Sequence, residues 1–325
     1  MRIMQRRVPT LVVAGALALA VMPSLAQTWP QKPVRIIYPY SAGSTGDAAA
    51  RLLAQRFSQA FGQPFIVENR LGANGALAAE AVARAPADGH TLLWAITPQI
   101  AINPAMTKVS YHPVNDFVPI SAVSGFAFAL VVNPRMPVRT IAEFVDYIRA
   151  QPKELAYAEG GVGSISHLSM VLLLNRAGLK MTNVSYRGNE PALTDVIAGH
   201  LPTMFAVLGD ALSHAASGSI RMLAVSTEQR SPQAPQVPTI GESGFPGFKT
   251  GSWHGLMAPA GTPKPIVDRI ATEVQRATKD PKYLERVANY GVDPLGSSPE
   301  EFATMIAADI KLWAEAVRIA GVKLQ

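Results

Sequence analysis

The 325-residue sequence contains no cysteine, and only 16% of its residues are charged. Without thiols, disulfides, thiolate metal sites and cysteine nucleophiles drop out together. Stability has to come from a core. A 48% share of hydrophobic residues, in a chain long enough for two domains, can supply one. Blocks of five or six like charges are also missing. The formal net charge of +6 therefore lacks the basic stripe that nucleic-acid binding requires, and nucleic acid is not expected as a partner.

Several catalytic and nucleotide signatures are absent as well. There is no G-x-x-x-x-G-K-[ST], no H-E-x-x-H and no G-x-S-x-G; Gly241 to Phe245 fails that last pattern at its final position. Gly161, Gly163 and Ser166 approximate a dinucleotide fingerprint, but a serine stands where the third glycine belongs and no acidic residue follows at the expected distance. The histidines, at positions 90, 112, 167, 200, 214 and 254, show no ligand-like spacing. Neither a metal nor a cofactor is expected.

At the N-terminus, Arg2, Arg6 and Arg7 precede an apolar run from Leu11 to Met22, and Ser24, Leu25 and Ala26 come before Gln27. A charged start, a short apolar run and small residues at the −3 and −1 positions make a secretory signal, residues 1–26. The run falls short of the roughly 18 residues a membrane span needs. With 29 basic residues against 23 acidic ones, and three of the arginines in this leader, the mature chain carries a charge of only about +3. It is expected to be exported to the periplasm.

Beyond the leader the pattern is strand, glycine-rich loop, helix. Val34 to Tyr38 is a β-branched run closed by Pro39, and Ser41 to Asp47 is a small-residue loop. Ala49, Leu53 and Phe57 then recur at helical spacing. The unit repeats through a strand at Phe65 to Glu68, a helix at Leu77 to Arg84 and a strand at Thr91 to Ile96. A second series begins near Leu155, with the loop Glu159 to His167 leading into a helix. The order implies an α/β fold with parallel sheets in two lobes. We place lobe 1 at 27–128 plus 252–325 and lobe 2 at 129–251, with crossovers at Ala129 to Pro134 and near Thr250 to Met257. Thr140 to Glu143 and Ser298 to Glu301 fit the capping box, and Phe302, Ile306, Ile310, Trp313 and Val317 form one stripe of the last helix.

Two loops carry the chemistry. In Ser41 to Asp47 and again in Gly160 to Ser166, glycines allow close backbone approach and hydroxyls can cap the following helix. A helix N-terminus binds carboxylate or phosphate without lysine or arginine. In open α/β sheets, ligands lie beyond the carboxyl ends of strands, where both loops fall. Ordinary capped turns would show the same residue types. Ser164 or Ser166 with His167 could alternatively serve as nucleophile and base of a secreted hydrolase. Trp253 and His254, on the proposed return strand, read as packing or as pocket wall.

Taken in order, Trp29 to Ile36, Gly43 to Asp47, Val67 to Arg70, Asp88 to Leu93, Ile102 to Pro104, Asp116 to Pro119, Gly163 to His167, Tyr186 to Gly188, Pro191 to Asp195, Arg230 to Pro232, Val237 to Thr239, Pro259 to Pro263 and Pro299 to Phe302 resemble the Bug-type receptors of tripartite tricarboxylate transporters. The resemblance implies a type II periplasmic-binding-protein fold: two α/β lobes, two crossover strands and a ligand cleft between them. It also implies a monomeric receptor, with no chemistry of its own, that passes a small organic carboxylate to a two-component membrane permease. A sensor presenting the ligand to a signalling partner differs only in the acceptor. Carried onto this sequence, the ligand contacts are Tyr40, Ser41, Ala42, Gly43, Ser44, Thr45, Asp47, Thr97, Gly161, Gly163, Ser164, Ser166, His167 and Ala206. Where many members carry Asp-Asn, this chain has Ala206 and Val207, which removes a partner for an ammonium group. Glu159 stands where a small residue is common, and would repel an anion unless it faced solvent or were protonated. Tyr40, Phe126 and the apolar 206–207 pair suit an aromatic or long aliphatic carboxylate, and the ligand expected overall is a small organic carboxylate such as a dicarboxylate or an aromatic acid.

Overall fold

The computed structural model describes residues 29–288 and 292–323; the leader lies outside them. Two sheets organise the chain. The first contains β1 (Val34–Tyr38), β2 (Phe65–Asn69), β3 (Thr91–Ile96), β4 (Phe117–Phe126), β10 (Ser252–Pro259) and β11 (Asp293–Pro294), in the order β11-β4-β10-β3-β1-β2. The second contains β5 (Phe128–Val132), β6 (Ala156–Glu159), β7 (Thr182–Ser185), β8 (Thr203–Val207) and β9 (Arg221–Val225), in the order β7-β6-β8-β5-β9. In each sheet the strand preceding a glycine-rich loop lies between two parallel neighbours: β1 between β2 and β3, and β6 between β7 and β8. Every residue of β3 is buried, as befits a strand covered on both faces.

The chain changes sheets at Ala127, between β4 and β5, so Ala129 to Val132 lie inside a strand of the second sheet. It returns through residues 226–251 into β10, which pairs antiparallel with both β3 and β4.

Helices cover both faces of each sheet. On the first, α1 (Thr45–Phe61) buries Leu53 and Phe57 beside Ile270 and Val274 of α8 (Lys264–Ala277). On its opposite face, α2 (Ala76–Ala83) buries Ala78, Ala79 and Val82. A helical segment made of a π-helical turn at Pro98–Ile102 and α3 (Asn103–Met106) follows β3. In the second sheet's cores, α4 (Ile141–Arg149) and α5 (Ile165–Ala177) cover one side, and α6 (Asn189–Ala198) and α7 (Leu208–Ala216) the other. α9 (Pro281–Ala288) follows α8.

The last helix, α10 (Pro299–Ala320), joins the two cores. Phe302 and Ile306 pack in the first, with Trp253 and Met257. Trp313, Ala316 and Val317 pack in the second, with α5 side chains. Of the predicted stripe, Ile310 is the member left half-buried. Both predicted capping boxes form, Thr140 with Glu143 and Ser298 with Glu301.

Candidate anion site at two helix N-termini

The loop after β1 is built around Asp47. Gly43 takes a left-handed φ of 86°, which turns the chain so that its N–H reaches Asp47 Oδ2 at 3.0 Å. Arg51 donates to the same carboxylate through Nε at 2.9 Å and Nη2 at 3.1 Å, and Asn69 Nδ2 donates to Oδ1 at 2.8 Å. Burial pushes the Asp47 pKa up, but the hydrogen bonds from Arg51, Gly43 and Asn69 together with the Arg51 charge outweigh it and hold the group below its ordinary value. Asp47 is only 2% exposed, so its carboxylate frames the loop from within.

Ser44 caps α1: its Oγ accepts the Asp47 N–H at 3.3 Å, donates to the Ser41 carbonyl at 3.2 Å and lies 3.0 Å from Tyr38 Oη. Ser41, Ala42, Gly43 and Thr45 are exposed, and Tyr40 is half-buried with Oη 3.4 Å from Asn74 Oδ1. Burial, and after it the neighbouring Tyr38, pushes the Tyr40 hydroxyl up to about 12.

The loop after β6 repeats the design with other residues. Ser164 caps α5 by accepting the His167 N–H at 3.2 Å, and its Oγ lies 2.9 Å from Ser166 Oγ, which in turn accepts the Gly160 N–H at 2.9 Å. Glu159 neither faces solvent nor points at open space. It is fully buried, with Oε2 accepting the Gly161 N–H at 2.5 Å and Oε1 accepting from Asn183 at 3.4 Å. It is the counterpart of Asp47, a buried carboxylate that ties down loop N–H groups.

His167 Nδ1 accepts the Gly163 N–H at 3.1 Å, and neither serine bonds to the ring. Burial depresses the His167 pKa, with Glu159 acting in the opposite direction. A Ser–His nucleophile pair requires a hydrogen bond between the two side chains. Here Nδ1 of the imidazole is taken by the backbone of its own loop.

The remaining predicted contacts sit deeper. Thr97 is fully buried at the end of β3, where its Oγ1 accepts the Trp253 N–H at 2.9 Å and so ties that strand to β10. Ala206 is 1% exposed and packs in a core of the second sheet beside Ala129 and Met204. Arg51 and Asn69 shape the first loop without having been given a role from sequence. His254, read there as packing or pocket wall, packs: its ring lies 4.5 Å from Phe126 and 5.6 Å from Trp94, with Nδ1 buried and unpartnered. A Cβ on Gly46 would fall 2.7 Å from His254 Cε1, which puts the imidazole under the first turn of α1. Burial pushes its pKa down to about 3.

Against known proteins, residues 49–322 match the model of the tripartite tricarboxylate transporter family receptor. The chain belongs to this family. A UPF0065 protein of Bordetella bronchiseptica is 37% identical over 97% of this chain and 93% of its own. Among solved structures, R. palustris Rpa4515 with adipate has a TM-score of 0.75 at 34% identity, covering 91% of this chain and 99% of that one. MatC (Rpa3494) from Rhodopseudomonas palustris with bound malate has a TM-score of 0.71 at 32% identity, covering 89% of this chain and 100% of that one. The receptor fold with its two α/β lobes is therefore that of the family, whose members are periplasmic binding proteins.

Proposed function

We propose that this receptor captures a small organic carboxylate between the loops after β1 and β6, acts as a monomer without chemistry, and delivers the ligand to a two-component membrane permease after export through its cleaved leader. The observation that carries the reading is the paired design of those loops. Each ends a strand with parallel neighbours on both sides, each opens a helix capped by serine, and each consumes its own acidic side chain internally. The N–H groups of Thr45 and Gly46, and of Ile165 and Ser166, belong to the first turns and have no intrahelical acceptor, so a carboxylate can take them at each end. Arg51, the cation beside the first loop, is committed to Asp47. The adipate and malate of the structural neighbours are of the class such ends would grip.

Thermal-shift measurements on protein refolded free of ligand, against adipate, malate, hexanoate and benzoate, test this. A ligand at about 100 times its Kd stabilises the fold by about 2.7 kcal/mol. The reading predicts such a shift for at least one carboxylate and its reduction in Ser164→Ala; no shift across the panel refutes it.

A further inference from the structure

A cavity of about 600 Å³ opens at the crossovers, lined by neither of the two glycine-rich loops. Gly125 to Ala127 and Thr250 to Trp253 line one side and α10 the other, so both chain crossings border it. Its size is that of a small-molecule site. The walls are largely apolar, with Phe126, Trp253, Met305 and Leu312 contributing.

The polar groups in this lining are few. Trp253 Nε1 donates to Asp309 Oδ2 at 2.7 Å, the one hydrogen bond of full geometry that this carboxylate accepts among the described residues. The Trp313 indole also turns toward the same carboxylate and lowers its pKa as a weaker hydrogen-bond donor, at a geometry looser than that of Trp253. Burial raises the Asp309 pKa, with the Trp253 indole, the Lys249 charge and the Trp313 indole acting against it. Thr250 is 3% exposed, and its hydroxyl is buried without a partner. Its backbone is satisfied, since its N–H donates to the Ser226 carbonyl and its own carbonyl accepts from Ser226 Oγ. A buried hydroxyl left unpaired costs about 1–3 kcal/mol, so it calls for an occupant.

The charge balance indicates which kind. Besides Asp309, the lining includes Asp293, which accepts from Gln233, and Glu301, which is used in the α10 cap. Lys249 is the one cation of the lining, and it already pairs with Glu228 at 3.1 Å. A second carboxylate ligand would meet this excess of acid unfavourably. An ammonium would gain the Asp309 carboxylate, whose oxygens have room for a charged donor beside the indoles, and the apolar wall together. We infer that the cavity behind the crossovers is a second ligand site, taking a small organic cation whose ammonium bonds Asp309 and whose apolar body lies along Phe126, Met305 and Leu312.

Calorimetry of the full chain with 4-phenylbutylammonium chloride tests the site, with 4-phenylbutanol as the neutral control. A carboxylate control is avoided because it could enter the other cleft. The site predicts one-to-one binding of the amine, a loss of at least tenfold in Asp309→Asn, and less than a twofold change for the alcohol. Ala308→Trp, at an exposed helix position on the cavity wall, fills the space without touching the first sheet's core and should abolish amine binding. Absence of amine binding, equal weakening of amine and alcohol by Asp309→Asn, or amine binding that survives Ala308→Trp would each overturn the inference.

Discussion

Asp47→Ala is the substitution that most directly tests how the first loop is held. The carboxylate is 2% exposed and accepts from the Gly43 N–H, from Asn69 Nδ2 and twice from Arg51. Truncation removes the acceptor of the part-buried Asn69 amide, which keeps its bond to the Tyr40 carbonyl, at about 1–3 kcal/mol, while the Gly43 N–H lies in the exposed loop and regains water. The Arg51 side chain is 48% exposed and regains water, so its share is small. The expected loss is about 1–3 kcal/mol, read as a lower urea midpoint at unchanged slope. Arg51→Ala should cost under about 1 kcal/mol, and Asp47→Asn should fall between, since an amide retains one acceptor. Because the Asp47 pKa is held below its unfolded value, its contribution is complete above the ordinary carboxylate range and fades as pH falls through the folded value. The gap between wild type and Asp47→Ala should therefore narrow below about pH 4. A variant within about 0.5 kcal/mol of wild type at pH 7, or a gap that does not depend on pH, would refute the account.

Two further outcomes follow from buried geometry. His254 stays neutral down to about pH 3 in the fold but charges near 6.5 when unfolded, so the unfolded state binds the extra proton and stability falls as pH drops below 6.5. The loss is about 2 kcal/mol from this residue between pH 7 and 5, and urea curves of His254→Gln should show a correspondingly flatter pH dependence. Gly163→Ala faces a left-handed φ of 78° and a Cβ 2.2 Å from Met106 Cε. We expect a loss of about 1–2 kcal/mol from the backbone alone, and Met106→Ala in the same chain should relieve the overlap but not the φ cost.

The elements that sequence reading located are those whose signals are local. Val34 to Tyr38 and Thr91 to Ile96 are β-branched or continuous apolar runs, and Ser298 to Glu301 carries a cap that names its own start. The helices at Pro98–Met106, Leu208–Ala216, Lys264–Ala277 and Pro281–Ala288 went unmarked: the first begins with an unusual π-helical turn, and those starting at Leu208 and Lys264 lack a side-chain cap. At the site, serines and glycines marked both loops. Their roles split according to partners that lie far away in sequence. Asp47 reads as a ligand contact, and the structure adds what the sequence did not carry, that Asn69 from the next strand bonds its carboxylate. Glu159 reads as a repulsive charge until Gly161 and Asn183 are found to occupy it. For His254 the sequence left packing and pocket wall open, because the choice depends on Gly46, more than two hundred positions earlier.

One helix joins the two cores. A helix of 22 residues spans about 33 Å, and α10 uses that length to pack Phe302 in one core and Trp313 in the other. A free hinge would have to break one set of contacts. At Gly251 an added Cβ would lie 3.0 Å from the Phe126 carbonyl, so the two crossovers touch, and Ser252 pairs with Phe126 directly after. Thr97 ties β3 to Trp253 in the same place. Trp253 Nε1 also donates to Asp309 of α10, so the return crossover is tied as well to the helix that joins the two cores.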